Sequence, residues 1–384
     1  MKEVTDKTQT KWLIALSVGM VLCLGVVIGL TKRPAVVVVN PPTPNTAASG
    51  PEIIAKFASF KANDGAEYGT GWQRDEQTIA ASLADDASHF DKTPAGKAVM
   101  GDEDVYGWRA VQKVNNRGPP WYPNTNQKDL GSCVGNGFSH AIDTLLAIQI
   151  LAGQAAEWKQ TAVESVYGGS RVEIGGGRIR GDGSVGAWAK QSVEKIGTLA
   201  MEKHDGVDLT EYSVARVREW GKNGIPDKLE PKAREHIVKG GALVKSWADV
   251  KRSIQQGYPV PVCSDQGFTM ERDKDGFCKP SGKWMHCMAL IGVRGGARPG
   301  AFCLNSWGDN AHTGPVWPAD APVAGFWIDA DVVDRMVRQG DSFALADANG
   351  FPARKLPDFF IVQPQQKWFA ASRDARDLFH FLAP

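Results

Sequence analysis

Residues 12 to 30, "WLIALSVGMVLCLGVVIGL", run for nineteen positions without a charge. As a helix, a stretch of that length crosses the hydrocarbon core of a bilayer, which takes about 20 apolar residues. It therefore removes the N-terminus from any globular core. Lys2, Lys7 and Lys11 precede the run while Lys32 and Arg33 follow it, a narrow bias that places the N-terminus inside. A cleaved signal peptide is the competing reading. Three features favour an uncleaved anchor: the length of the run, the lack of a small-x-small pattern at its end, and Lys32-Arg33 close behind. The next segment, "RPAVVVVNPPTPNTAASGP", has the Pro, Thr, Ser and Gly content of a tether. The expected order is a cytoplasmic stub over 1–11, a membrane-spanning helix over 12–31 and a tether over 32–51. A single-pass chain of this kind holds its bulk outside the cytoplasm, on the periplasmic or extracellular side.

Beyond the tether, a chain of 384 residues still has length for one large domain or two ordinary ones. A formal net charge of +1 supplies no field to gather nucleic acid, so no nucleic-acid partner is expected. Over 52–104, "PEIIAKFASF" and "DEQTIAASLADDASHF" show helical periodicity on either side of "NDGAEYGTGW". This region is either an inhibitory propeptide or an N-terminal arm packed on the domain. The last residues, 365–384, read as a short amphipathic helix packed against the domain. Six cysteines (Cys23, Cys133, Cys263, Cys278, Cys287 and Cys303) are too sparse and irregular for a disulfide scaffold, though one bridge among the last four is open. Cys278, Cys287 and Cys303 with His286 lack the C-x-x-C or H-x3-H spacing of a zinc site, so no metal is expected.

The cysteine that stands apart is Cys133, in "NQKDLGSCVGNGF". From it, Val134, Phe138, Ile142, Leu145 and Ile148 recur at helical spacing, with Ser132 or a neighbour placed to cap the start and Gly153 to close the end. Cys133 thus falls at a helix N-terminus, where the dipole favours thiolate over thiol. Gly135 and Gly137 in the first turns each cost about 1 kcal/mol relative to Ala, which fits close backbone approach better than helix stability. His140, two turns along, is expected to pack.

A nucleophilic thiol needs a base. "GKWMHCMALIGV" puts His286 at the start of the apolar run Cys287 to Val293, which reads as a buried strand. "AFCLNSWGDN" puts Asn305 at the end of a second one. On neighbouring strands, the Asn305 amide would hold the imidazole in one tautomer, completing a nucleophile, base and orienter, with Trp307 covering the His–Asn bond from water. Cys287, directly after the base, faces either the core or the substrate pocket.

"Q-K-D-L-G-S-C", residues 127 to 133, resembles the Q-x-x-C-G-S-C signature of papain-like cysteine peptidases, and "NSWG" resembles that family's signature around its orienting Asn. The order Cys, His, Asn is also the family's, with His286 and Asn305 lying 153 and 172 residues after Cys133. The resemblance implies Cys133 as nucleophile, His286 as acid and base, Asn305 as orienter, and Gln127 as a side-chain donor to the oxyanion beside the Cys133 N–H. "GRIRGDGSVGAWAKQSVEKIGTL" is similar to the family's glycine-bearing segment, which makes Gly183 the residue that bonds an extended peptide backbone. Asp182 and Trp188 either line the groove beside it or are ordinary surface or packing residues. The likeness covers about residues 105 to 340. Leu130 stands where many members carry cysteine, Val134 where a Trp follows the nucleophile, and Met285 where an acidic or amide residue precedes the His. The "LGSCVGN" form is closer to bacterial and viral relatives than to lysosomal ones.

The resemblance implies an α+β fold over 105–364: a mainly helical half with Cys133, an antiparallel, barrel-like sheet half with His286 and Asn305, and a peptide or protein substrate in the cleft between. A monomeric catalytic domain without cofactor would hydrolyse peptide bonds. Two alternatives stay open. One is an amidase or transpeptidase acting on cell-wall or surface peptides through the same site. The other is a catalytically idle papain-like shell with a binding or structural role.

Overall fold

The computed structural model describes residues 50–362, apart from 56–57, 63–64, 155, 237, 347–349 and 358–360. The apolar run at 12–31, nearly all of the tether and the tail at 365–384 lie outside the described residues. Among the described residues no helix is long and apolar enough to cross a membrane.

The helices that matter for the site are α1 (Glu76–Ala84), α2 (Cys133–Leu151), α3 (Val163–Gly169), α4 (Gly186–Lys195) and α5 (Val214–Asn223). The strands are β1 (Ala58–Lys61), β2 (Glu67–Thr70), β3 (Asp104–Tyr106), β4 (Val260–Arg272), β5 (Cys278–Arg294), β6 (Gly300–Leu304), β7 (Gly325–Asp329) and β8 (Ile361–Val362). Helices thus dominate 133–223 and strands dominate 260–329, the segregation of an α+β fold. The main sheet runs β7-β6-β5-β3-β8, with β4 also paired to β5, and every pairing in it is antiparallel.

Strand β5 is the spine. Its segment His286 to Val293 is buried throughout, because the sheet covers its edges and α2 crosses its face. A Cβ at Gly137 would lie 3.0 Å from the Cys287 sulfur and 3.2 Å from its carbonyl, so that glycine is what lets the helix lie on the strand. Behind β5, Trp108, Phe302 and Trp327 form an aromatic core with ring centroids 4.6 Å (Trp108–Phe302) and 5.4 Å (Phe302–Trp327) apart. Much of the tryptophan content goes into such packing.

The N-terminal region departs from its periodicity. Strands form in "PEIIAKFASF" where helix was expected: Ile53 and Ile54 pair in parallel with Ile179 and Arg180, and β1 pairs with β2 in a hairpin. The cause is tertiary. Phe60 and Tyr68 lie opposite each other in the hairpin and both stack on Trp307, with centroids 5.8 and 5.3 Å away. That burial outweighs local helical preference. The helix expected in "DEQTIAASLADDASHF" does form, as α1. The region then joins the body at β3, an inner strand of the main sheet.

Candidate active site

Helix α2 begins at Cys133, as the residue pattern anticipates. Ser132 occupies the N-cap position, yet its backbone (φ −95°, ψ 16°) is not extended and its hydroxyl caps no helix N–H. It accepts instead from the Asn136 side chain at 3.1 Å. The first N–H groups of the helix have no intrahelical partner, and here they keep their positive end toward Cys133.

The thiol is fully buried. Backbone N–H groups of Cys287, Gly71 and Val134 lie against it. The first of these places the peptide joining His286 to Cys287 directly on the sulfur. His286 Nε2 is 2.9 Å from Asn305 Oδ1, which also accepts from the Ser306 N–H at 2.8 Å. An amide oxygen can only accept, so the imidazole proton belongs on Nε2. That leaves Nδ1 as a bare lone pair, and this buried atom has no hydrogen-bond partner. Asn305 is oriented in turn by its Nδ2, which donates to His312 Nε2 at 3.0 Å. The Trp307 ring covers His286 with a centroid distance of 4.7 Å. His312 escaped the sequence reading; nothing in "DNAHTG" marks it as an orienter of the orienter.

Burial sets the protonation states. It pushes the Cys133 thiol well above its ordinary range, with the neighbouring Cys287 adding to the effect. It pulls His286 down to about 4, against the Asn305 hydrogen bond, which works the other way. Both groups are therefore neutral here at pH 7. For His286 the consequence for stability has a definite sign. The unfolded imidazole takes up its proton near pH 6.5 and the folded one near 4, so the contribution is complete above pH 6.5 and is lost as pH falls toward 4, by roughly 3 kcal/mol at most. Between pH 7 and pH 5 the wild-type melting temperature should fall by several degrees more than that of His286→Gln. Parallel falls would contradict this.

The group covering the thiol is the N-terminal segment. After β2 the chain passes between the loop at 128–132 and the loop at 181–184. Gly71 and Trp72 donate to the Met285 carbonyl, each at 2.9 Å, and the Gly69 N–H donates to Lys128 at 2.7 Å. A Cβ on Gly71 would stand 1.9 Å from the Gly131 carbonyl oxygen, so only glycine passes at this depth. Gln127 Nε2 donates to the Gly69 carbonyl at 2.9 Å and to Leu130 at 2.7 Å, while its Oε1 accepts from Ser306. The amide that the family resemblance assigns to an oxyanion is thus engaged by an arm carbonyl. Trp307 Nε1 points to the same carbonyl, at 3.3 Å.

Of the other site residues, Gly183 takes its left-handed conformation (φ +122°) but does not bond the arm itself. Its N–H donates to the Tyr167 hydroxyl at 2.8 Å, and its carbonyl accepts from Arg171. The residue that pairs with the arm is Ser184, whose N–H donates to Gly71 at 2.9 Å and whose carbonyl accepts from Gln73 at 2.8 Å. Arg171, buried and bound also to the Ile179, Gly181 and Gly221 carbonyls, staples this wall of the groove. Asp182 is half-buried where the two loops meet: its Cβ would lie 2.9 Å from one on Gly131. Cys287 turns its sulfur toward Cys263, 2.9 Å away on β4, and both are free thiols, as are Cys133, Cys278 and Cys303. Among the described residues no cluster of side chains is suited to a metal. His140 packs in α2, with Thr125 3.4 Å from its Nε2.

No protein-family model matches the sequence, and neither does any curated protein sequence. Solved structures of similar fold include xylellain, a cysteine protease from Xylella fastidiosa, at 14% identity and a TM-score of 0.46, covering 78% of this chain and 97% of that one. Digestive procathepsin L 3 from the larval midgut of Tenebrio molitor has 13% identity and a TM-score of 0.41, covering 66% of this chain and 72% of that one. The bromelain protease from Ananas comosus, solved with the inhibitor E64, has 13% identity and a TM-score of 0.38, covering 65% of this chain and all of that one.

Proposed function

We propose that the chain is a papain-like cysteine endopeptidase, anchored in a membrane by residues 12–31 with its catalytic domain outside the cytoplasm, and held latent by its own residues 67–73. The observation that carries this reading is the tautomer of His286. Asn305 holds the proton on Nε2 and leaves Nδ1 bare, on a residue whose peptide link to Cys287 touches a thiol at a helix N-terminus.

The chemistry follows from those roles once the arm withdraws and water lifts the burial penalty on both groups. His286 Nδ1 takes the Cys133 proton, and the thiolate attacks a peptide carbonyl to form a carbon–sulfur bond. The oxyanion meets Gln127 Nε2, freed from Gly69, and the Cys133 N–H. The imidazolium returns its proton to the leaving nitrogen as the carbon–nitrogen bond breaks. Water, deprotonated by His286, then attacks the thioester and releases the thiol and the acid. No cofactor takes part. An amidase would use the same steps on another amide, and a transpeptidase would resolve the thioester with an acceptor amine in place of water, so profiling the freed enzyme on linear peptides and on cell-wall peptides separates these readings.

The test is a peptidyl epoxide on the full-length chain, in wild type and in Gly71→Val, with the adduct mapped by mass spectrometry. An adduct confined to Cys133, fast in the variant and slow in wild type, is expected. If Cys133 of the variant reacts with iodoacetamide yet ignores the peptidyl reagent, the thiol is accessible without a peptide-binding cleft. The idle-shell reading then takes over.

A further inference from the structure

The carboxamide of Asn305 has two ends of nearly equal size and opposite function. Oδ1 accepts and Nδ2 donates, so shape alone does not decide which end meets His286. With Nδ2 toward the imidazole, the amide would donate to Nε2 and force the ring proton onto Nδ1, the atom that has to take the proton of Cys133. Two neighbours set the polarity. The Ser306 N–H donates to Oδ1 at 2.8 Å, and His312 Nε2 stands 3.0 Å from Nδ2. An amide nitrogen cannot accept, so His312 meets it with a lone pair. The His312 proton then sits on Nδ1, beside the Cys278 sulfur at 3.9 Å, with the Met270 carbonyl as the ring's backbone partner. The two imidazoles therefore carry their protons on opposite nitrogens, with one amide between them.

The fold holds His312 to this task. Its ring is 4% exposed and lies against Phe326 with centroids 4.6 Å apart. The Thr313 N–H donates to Met270 and the Arg272 N–H to Thr313, each at 2.9 Å, which ties the loop to β4. The Arg272 guanidinium donates to the carbonyls of His312 at 3.3 Å and Gly325 at 2.9 Å, which ties it to β7. An imidazolium would turn an N–H toward Nδ2, donor against donor, and the surroundings oppose one. Burial pulls the ring down to about 3, Arg272 on β4 and His286 on β5 add to the effect, and only the Met270 carbonyl works the other way. Cys278 on β5 is a neutral thiol, its ionisation pushed up to about 12 by burial. The ring thus remains an acceptor at neutral pH.

We infer that His312 is a positioning residue: its Nε2 lone pair fixes the polarity of the Asn305 amide, and through that amide keeps the His286 proton on Nε2 and leaves Nδ1 free for the proton of Cys133. The inference rests on the peptidase reading and deepens it. A residue that only filled the space behind Asn305 could be exchanged for any side chain of its shape, whereas a residue that sets polarity can be exchanged only for another acceptor. Phenylalanine keeps the ring against Phe326 but strands the buried Nδ2. Glutamine is less like the ring in shape but offers Oε1. Losing the acceptor removes one hydrogen bond's preference for the native polarity, an effect of about tenfold.

The experiment reads the protons directly and then the rate. Full-length protein carrying nitrogen-labelled histidine is compared by NMR, with His286 and His312 assigned from the signals lost in His286→Gln and His312→Gln. At pH 7 wild type should show the Nε2–H tautomer at His286 and the Nδ1–H tautomer at His312. The same tautomer at both residues, or an imidazolium at His312, overturns the inference. His312→Phe should shift His286 toward the Nδ1–H form, and His312→Gln should not. For the rate, each variant is added to the Gly71→Val chain and treated with the peptidyl epoxide. The maximal alkylation rate of Cys133 should fall about tenfold in His312→Phe with the affinity for the reagent unchanged, and stay within threefold of the parent in His312→Gln. A loss confined to affinity, or equal losses in both variants, would mean that the ring merely packs, and overturns the inference while leaving the peptidase reading intact. Reaction with iodoacetamide but not with the epoxide in the parent chain overturns the peptidase reading, and the tautomers tell that failure from the other. Should His312→Phe fail to fold, the wild-type tautomers decide alone.

Discussion

Gly71→Val should expel the arm from the cleft and raise the alkylation rate of Cys133 by roughly 10- to 100-fold. That range comes from the 1–3 kcal/mol that overpacking costs. A Cβ at this position meets the Gly131 carbonyl oxygen at 1.9 Å, its carbon at 2.4 Å and its Cα at 2.6 Å, all of them backbone atoms with no rotamer by which to yield. Gly131 is held between Leu130, whose carbonyl binds Gln127, and Ser132 at the start of α2. On its other side the arm is held by two hydrogen bonds to Ser184, which yield more readily than a backbone clash, so the arm is the part that moves. Its departure should leave the sheet intact, because the connection to the body is made at β3, more than thirty residues further on. The check is where the label goes. Modification confined to Cys133 means the arm has lifted; equal modification of Cys303, buried in β6, would mean that the whole domain has opened. An unchanged rate at Cys133 would show that the arm is not what covers it.

In a chain opened in this way, His286→Ala should lower the rate of reaction with a peptidyl epoxide by at least about a thousandfold, the scale on which a nucleophile loses its base. The larger part of the loss comes from the thiol staying protonated at neutral pH. The pH profile is therefore the sharper readout: the variant should regain reactivity only at alkaline pH, as the thiol ionises unaided, whereas the chain with His286 reacts across the neutral range. Asn305→Ala should cost less, about 10- to 100-fold, since the base remains but its tautomer is no longer set by the acceptor at 2.9 Å. If His286→Ala reacts as fast as its parent at pH 7, the imidazole does not activate the thiol.

The parts of the site that could be read along the chain are those whose chemistry is local. Cys133 follows Gly131-Ser132 and opens an apolar periodicity, and that pattern sufficed to place it on the first residue of a helix. His286 begins a continuous apolar run and Asn305 directly follows another, and runs of that kind form inner strands wherever a chain finds partners for them. The sequence put His286 and Asn305 at the ends of two apolar runs, and the structure pairs those strands and brings the two side chains within 2.9 Å. Spacing along the chain was not enough to say that Ser184, rather than Gly183, would hold an extended backbone. That depends on Tyr167 and Arg171, from another helix, having already claimed the polar groups of Gly183.

The N-terminal arm shows the opposite case. Its sequence allowed either a propeptide or a packed appendage and suggested helix where a hairpin forms. The outcome hangs on contacts that no local pattern encodes: Phe60 and Tyr68 on Trp307, Gly71 against Gly131, and Trp72 reaching Asp341 across 269 positions. The sequence by itself singled out Cys133, His286 and Asn305 as candidates, because residue type and helical or strand periodicity are properties of short segments. Only the tertiary structure decided that the thiol and imidazole rest neutral, that the Gln127 amide is engaged by the Gly69 carbonyl, and that Trp72 is buried against Asp341. Burial, and the pKa shifts and hydrogen-bond obligations that come with it, exists only once distant segments have closed around a group.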